Sequence, residues 1–295
     1  MIISRIFQGL GNQLFQYAFG RAMALRNDTS LKIDKRFFLA PEVTTNGVTY
    51  ARKFELDKYN VVLAEASDFE LAVFKGREVP RWIDRIHWKI NPDLRPKVIK
   101  EDISKFSPEL NLLEGNLYLN GYFTSEEFFK DHAPTIRKEV TLKSEMSSEN
   151  QEWAHKMASC NSVCISLRRT DFLANPIHNV CSTDYYLHGL NKVQELLGKD
   201  IQVFVWSDDN KWTIENFKPP YPCHYMSHNF PDFHEDLRLM TYCKHHVIPN
   251  STFSWWAAWL GEHESQIVVA PKRWLNSTDV EYGHVVPERW HKIEN

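Results

Sequence analysis

Two adjacent arginines in "CISLRRTDFL" (164–173) stand where a strand would ordinarily give way to turn residues. Arg168 and Arg169 close a short apolar run, and Thr170, Asp171 and Phe172 follow directly. A guanidinium is a planar fork of donors that matches the oxygens of phosphate or carboxylate. An anion at this strand end is therefore the chemistry that the residue types imply. Neighbours on an extended segment point to opposite sides, so one arginine is expected to reach a ligand and the other to pair with a carboxylate such as Asp171. The competing reading is an ion-pair cluster that only holds the structure together.

Three other stretches carry comparable chemistry. In "QGLGNQLFQYAFG", Gly9 and Gly11 lie between a strand and a helix, where a bare backbone can approach a ligand and the helix start favours an anion. Asp34 falls near the place of a ribose-binding acid, but Leu14 occupies the third glycine position of a dinucleotide fingerprint. Dinucleotide site, plain turn and another ligand loop all stay open. In "WSDDNKW", Ser207 and Asp208 are good helix-capping types, and an acid here could also meet a ribose or a guanidinium. In "PNSTFSWWAAWLG", Asn250 or Ser251 caps a helix whose first turn combines free N–H groups with three hydroxyls, a cradle suited to phosphate. Trp255, Trp256 and Trp259 are expected to pack inside. No metal site is expected: His234, Glu235 and Asp236 are consecutive and do not converge, and neither H-E-x-x-H nor D-x-D occurs. G-x-S-x-G is missing too, which removes the usual hydrolase elbow.

The elements that must position these residues follow from periodicity. Residues 2–7 read as a strand, Leu14, Phe15, Ala18, Phe19, Ala22 and Leu25 as one face of a helix, and 31–34 as a second strand. Between about 40 and 150 prolines interrupt the pattern. The basic, Trp-containing stretch at 77–100 reads as a solvated, partly helical surface, with an acceptor-facing or lipid-facing patch as the alternative, and 116–123 reads as a strand. From about 155 strands and helices alternate clearly, with strands at 162–167, 201–207, 223–227, 245–250 and 265–271. Strands separated by helices of this length imply a parallel sheet with right-handed crossovers. Two α/β halves are expected, residues 1–155 and 156–295.

Composition excludes several classes. A chain of 295 residues with 43% hydrophobic and 25% charged residues can bury a real core. The net charge of −3 gives no general attraction to nucleic acid. Five cysteines without a C-x-x-C pair suit a reducing compartment rather than a disulfide framework. No signal peptide and no membrane-spanning run is apparent, so a cytoplasmic protein is expected, with at most peripheral membrane contact.

Taken together, "GLGNQLFQYAFGRA", "LRRTDF", "SDD…W" and "NSTFSWWAAWL" occur in the order and over nearly the length of glycosyltransferase family 11, which the chain resembles. The last motif is specific to that family; R-R-x-D is shared with other fucosyltransferases. The resemblance implies a GT-B-type α/β fold, two Rossmann-like halves facing a central cleft, and a bacterial α-1,2-fucosyltransferase. It implies GDP-fucose as donor, held mainly by the C-terminal half, a galactose-terminated oligosaccharide or O-antigen unit as acceptor, inversion at the sugar, no cofactor and no required metal. Residue by residue, it places Arg168 on the β-phosphate, Arg169 in the same loop and Asp171 near the sugar or acceptor. Ser251, Thr252, Phe253 and Ser254, preceded by Asn250, would hold the diphosphate. Ser207, Asp208 and Asp209 would stand beside the nucleotide, and Ser227, His228 and Asn229 would read guanine. Gly9, Gly11, Asn12 and Gln13 would face the fucose from the other half, Asn12 among the catalytic positions with Arg168 and Asp171. Ser166 stands where the family usually has a histidine, so His228 is the candidate to supply that ring.

Overall fold

The apolar start of the chain forms β1 (Ile2–Arg5), and the 3.6-residue pattern after it forms α1 (Leu10–Arg26), which leads to β2 (Leu31–Asp34). These elements open a computed structural model that describes residues 1–40, 42–45, 48–75, 89, 95–102, 105–277 and 283–295. A short ribbon follows, β3 (Glu42–Thr45) with β4 (Val48–Ala51), and then α2 (Asp68–Lys75), β5 (Lys97–Lys100), β6 (Leu117–Asn120) and α3 (Ala133–Glu139). Four strands make one parallel sheet in the order β2-β1-β6-β5. β1 is buried apart from Arg5, and α1 covers the sheet with Leu14, Phe15, Ala18, Phe19 and Ala22 fully buried.

The second unit alternates helix and strand throughout. It contains α4 (Ser148–Ser159), β7 (Ser162–Leu167), α5 (Thr170–Ala174), α6 (Thr183–Leu197) and β8 (Gln202–Ser207). Next come α7 (Asn210–Asn216), β9 (Cys223–Met226), α8 (Phe233–Met240) and β10 (His245–Val247), and α9 (Thr252–Leu260), β11 (Val268–Pro271) and β12 (His291–Ile293) complete it. All six strands are parallel, in the order β12-β11-β10-β7-β8-β9. Counted from β7, this is the 3-2-1-4-5-6 order of the doubly wound dinucleotide-binding fold, reversing between β7 and β10. β7 is buried along its whole length because it has a strand on each side and helices over the faces. Helix α6 ends at Gly198, whose φ of 64° is the left-handed cap expected there. It lies so close to β10 that a Cβ on Gly189 would stand 2.5 Å from a Val247 methyl.

The two expected α/β halves are both present, with one shift of boundary. The units meet between Thr141 and Leu142, not near residue 155, which lies inside α4. In that helix Ala154 and Met157 are buried and Trp153 meets Phe204 of β8 edge-on at 6.4 Å, so it belongs with the second sheet. Two edge strands escape the periodicity reading. β5 and β12 are short, mostly exposed and charged, so they show no apolar alternation. The strand expected over 116–123 stops at Asn120, because Phe123 takes a φ of 52° and the Glu101 carboxylate accepts the N–H groups of Tyr122 and Phe123. Most of the basic 77–100 stretch lies outside the described residues. Among the described residues no helix is long and apolar enough to cross a membrane.

Asp34 shows how a charge is buried at the end of β2. It is 3% exposed and accepts hydrogen bonds from the Tyr118 hydroxyl (2.8 Å) and from the Arg36 guanidinium (2.9 and 3.0 Å). Burial alone would raise its pKa; the hydrogen bonds from Arg36 and Tyr118 outweigh it and bring the value to about 2. An acid committed in this way is not offered to a ribose. The linkage sign is that of a depressed carboxylate: its stabilisation is present at neutral pH and is lost as pH falls through the folded value. Asp34→Asn should cost about 1–2 kcal/mol at neutral pH, a figure discounted for the partial exposure of Arg36, and progressively less below about pH 4. Urea midpoints of both proteins across that range check it.

Candidate functional site

The second sheet delivers four of the sequence motifs to one edge. In a parallel sheet all strands run the same way, so residues that follow β7, β8, β9 and β10 emerge together at the carboxyl side, where open α/β sheets bind ligands. Arg168 follows β7, Asp208 follows β8, Ser227 follows β9, and Asn250 comes shortly after β10. The register sharpens this. Leu167 pairs with Ser207, and Ile165 with Val247. Continued outward, the same register sets Arg168 between Asp208 on one side and Asn250 on the other.

The arginines are held by the acids of the neighbouring strand end. Arg168 Nη1 lies 3.3 Å from Asp208 Oδ2, and its guanidinium sits 5.1 Å from the centre of the Phe172 ring. Arg169 donates its backbone N–H to Asp208 Oδ1 (2.8 Å), and its Nε lies 3.3 Å from Asp209 Oδ2. Its guanidinium is stacked on Trp212, 3.2 Å from the ring centre. Asp208 also accepts from the Thr170 hydroxyl at 2.9 Å. The carboxylate partners therefore come from Asp208 and Asp209; for Asp171 only the backbone, in α5, is described, and its side chain lies outside the described residues.

This bonding changes the reading of the acidic motif. Asp209 caps α7 through the Trp212 N–H (3.2 Å), and the Ser207 hydroxyl accepts the Asp209 N–H (3.0 Å) and the Thr213 hydroxyl (2.9 Å). Ser207, Asp208 and Asp209 direct their polar atoms into the protein and shape the arginine loop. Arg168 keeps 28% of its side chain exposed at the edge of the sheet, and Arg169 keeps 20%. Two tyrosines that the sequence reading passed over fix the strand ends from behind. Tyr185 donates to the Ile248 carbonyl (2.5 Å) and Tyr186 to the Ser166 carbonyl (3.2 Å). Both are buried, and burial raises both phenols well above their ordinary pKa, so they remain donors.

The start of α9 is open. Ser251 is its N-cap but makes no side-chain capping bond, and the first N–H to bond back into the helix is that of Trp255, to the Ser251 carbonyl at 2.9 Å. The N–H groups of Thr252, Phe253 and Ser254 are thus unused by the helix, as they are at any helix start without a cap. The Ser254 hydroxyl is buried without a protein partner. Asn250 differs from its neighbours: its amide donates to the His178 carbonyl (3.0 Å) and anchors the 175–182 segment. The three tryptophans are buried and pack on one another, Trp255 against Trp256 at 5.3 Å and Trp256 against Trp259 at 5.2 Å.

At the end of β9, His228 Nε2 lies 2.7 Å from Asn150 Oδ1 and its ring stacks on Trp153. Asn150 donates to Asn229 Oδ1 (3.0 Å), and Asn229 donates in turn to Asp236 Oδ1 (3.1 Å), which also receives the Trp206 indole N–H (3.2 Å). Asp236 Oδ2 takes no protein hydrogen bond, and desolvation raises the pKa of this carboxyl despite its donors. The sequence reading passed over Asp236 and Asn150 as members of this network; the signal in reach was an acid near the start of α8. Ser227 is exposed beside this network.

In the first unit the glycine turn divides by role. Gly9 is the N-cap of α1, and its carbonyl accepts the N–H groups of Asn12 and Gln13, both at 3.0 Å. Gln13 is fully buried and fully bonded, to the carbonyls of Gln8 and Lys53 (2.8 Å each) and to the Glu55 N–H (3.0 Å). It clamps the 53–55 segment and does not present its amide to a ligand. Asn12, partly exposed on the first turn, makes no side-chain hydrogen bond within the protein, and Gly11 is buried. Among the described residues no group of three or more His, Cys, Asp or Glu is placed to hold a metal.

The model of the family described as glycosyl transferase family 11 matches residues 102–294. An α-1,2-colitosyltransferase of Escherichia coli is 29% identical, aligned over all of this chain and 99% of its own length. The O-antigen biosynthesis glycosyltransferase WbnK of Escherichia coli is also 29% identical, over 90% of this chain and 92% of its own. Among solved structures, the NodZ α-1,6-fucosyltransferase soaked with GDP-fucose matches 88% of this chain and 91% of its own, with 18% identity and a TM-score of 0.47.

The separation of Gln13 from Asn12 is testable. Gln13→Ala leaves three part-buried backbone groups without their partner and should cost about 1–3 kcal/mol of stability, whereas Asn12→Ala should stay within about 0.5 kcal/mol. Guanidinium unfolding midpoints of the two variants check it.

Proposed function

The chain belongs to glycosyltransferase family 11, and from that premise we propose that it is an inverting α-1,2-fucosyltransferase. It moves L-fucose from GDP-β-L-fucose to the 2-hydroxyl of a terminal β-galactose, or a related sugar, on an oligosaccharide or O-antigen unit. The observation that carries this reading is that Arg168 and the uncapped start of α9 follow two neighbouring strands, β7 and β10, at the reversal point of a doubly wound sheet. Two independent sources of positive potential stand on one sheet edge, and a diphosphate is the ligand that uses both.

The chemistry follows from charge. The bond between fucose C1 and the β-phosphate oxygen breaks, and the acceptor oxygen bonds to C1 from the opposite face, so a β-linked donor gives an α-linked product. Negative charge grows on the departing GDP while the sugar becomes oxocarbenium-like. Arg168 and the N–H groups of Thr252, Phe253 and Ser254 stabilise that growing charge, which lowers the barrier more than it tightens the ground state. Asp208 holds Arg168 in place before substrate arrives, so little reorganisation is left to the chemical step. The acceptor proton leaves to solvent as the new bond forms. Guanine offers an N1–H and an amino group as paired donors, and the open Oδ2 of Asp236 is the acceptor suited to them, with Asn229 and His228 fixing its surroundings.

A second reading concerns the donor sugar. The full-length relative from Escherichia coli is named for colitose, which is fucose without its 3-hydroxyl. A donor pocket that makes no polar contact to that position would accept either sugar. Comparing kcat/KM for GDP-fucose and GDP-colitose separates the two readings.

Arg168→Ala should lower turnover by about 10²–10⁴-fold, the range for removal of a charge-stabilising donor. The variant must first be shown folded by circular dichroism, and retention of activity within about twofold would remove Arg168 from this role. In thermal melting with EDTA present, GDP and GDP-fucose near 100 times their Kd should raise Tm by several degrees, and NAD should not.

A further inference from the structure

The first unit carries an unexplained row of aromatic rings. It begins where β1 and β6 lie side by side in that sheet. Phe7 follows β1 and Tyr122 follows β6, and their rings meet edge-on at 5.0 Å. From Phe7 the row continues along the carboxyl edge past the end of β2: Phe37 at 6.1 Å, Phe38 at 5.1 Å from Phe37, and Phe54 at 5.6 Å from Phe38. Phe7 is buried, whereas Tyr122, Phe37, Phe38 and Phe54 remain partly exposed, and Leu39 beyond them is 83% exposed. A row that served only as core would be covered by its own unit.

Polar groups border the rings. Arg5 lies 5.0 Å over Phe7 while bonding to Asn120, and Lys35 lies 5.5 Å over Phe54. Lys35 and Arg36 also line a cavity of about 460 Å³ beside the end of β2, closed on its other side by Glu65 to Glu70. The charges of that cavity are paired off: Lys32 with Glu70, Lys35 with Glu65, Arg36 with Asp34. With Asp68 added its walls hold four acids against three bases, so it does not attract an anion. Half-exposed rings with polar groups at their rim suit a neutral pyranose, whose C–H face lies on a ring while its hydroxyls reach the rim.

We propose that this row, with Phe37, Phe38 and Phe54 as its open surface, is the platform for the neutral saccharide acceptor. The proposal rests on the glycosyltransferase reading for the use of the sugar, but the binding surface itself is argued from the first unit alone. It identifies this unit's ligand as an uncharged sugar chain and not a second nucleotide.

The test is saturation-transfer NMR of the full chain with lactose and N-acetyllactosamine, run beside melting with GDP. Phe38→Leu keeps apolar volume and removes the ring, and Phe38→Tyr keeps the ring. The expected result is binding to the native chain and to Phe38→Tyr, weakened about tenfold in Phe38→Leu, the scale of one lost ring contact. In steady-state assays the acceptor KM of Phe38→Leu should rise by about the same factor, with donor KM and kcat within about twofold. Equal binding to the native chain, Phe38→Leu and Phe54→Leu would overturn the proposal, as would no binding of either sugar to the native chain. Sugar binding that depends on the ring, with no melting shift from GDP, would keep the platform and remove the transferase reading. A GDP shift with sugar binding indifferent to the rings would do the reverse.

Discussion

The pairing of β7 with β8 on one side and β10 on the other is the constraint from which the rest of the second unit follows. A parallel sheet has one carboxyl edge, and the strand at which its order reverses has the two neighbours whose following loops leave for opposite faces. Arg168 is the residue at which that strand ends. Its acidic partner comes from the next strand over, and the open start of α9 from the strand on the far side. Tyr185 and Tyr186 secure both strand ends from one helix, and the close approach of that helix to Val247 requires the glycine at 189. None of these contacts is local in sequence, yet each is a direct consequence of register.

Electrostatics then decides what the edge is for. Two guanidiniums at one strand end would repel each other if left alone, and Asp208 and Asp209 offset that repulsion with one carboxylate each. Exposed ion pairs contribute little to stability. The value of these pairs is positional: they leave Arg168 set at the sheet edge with part of its surface open, near backbone N–H groups that no capping side chain occupies. The same logic runs in the opposite sense at the end of β2, where Arg36 and Tyr118 satisfy Asp34 so completely that the acid is withdrawn from ligand chemistry. Two acids at equivalent strand ends thus differ in role because their partners differ.

The first unit shows how one motif can hold both an inward, fully bonded residue and an outward, open one. Asn12 and Gln13 are adjacent on the first turn of α1 and chemically alike. The helix turns about 100° between them, which sends Gln13 inward to clamp the 53–55 segment and leaves Asn12 outward. The aromatic row extends the same carboxyl edge toward β2.

Much of this was legible in the chain itself. The alternation of strands and helices after residue 155, the glycine at the end of α6, the cluster of tryptophans and the order of the motifs follow from periodicity and local residue chemistry. Local signals of that kind are written in consecutive residues. The boundary at 141, the edge strands β5 and β12, the partners of Arg168 and Arg169, and the inward turn of Gln13 were not legible. Each depends on which segment, distant in sequence, is brought alongside by the sheet. Residue types determined that a strand ending in two arginines and an open helix start exist in this chain. Tertiary structure decided that they share one edge, because parallel register fixes which distant residues become neighbours.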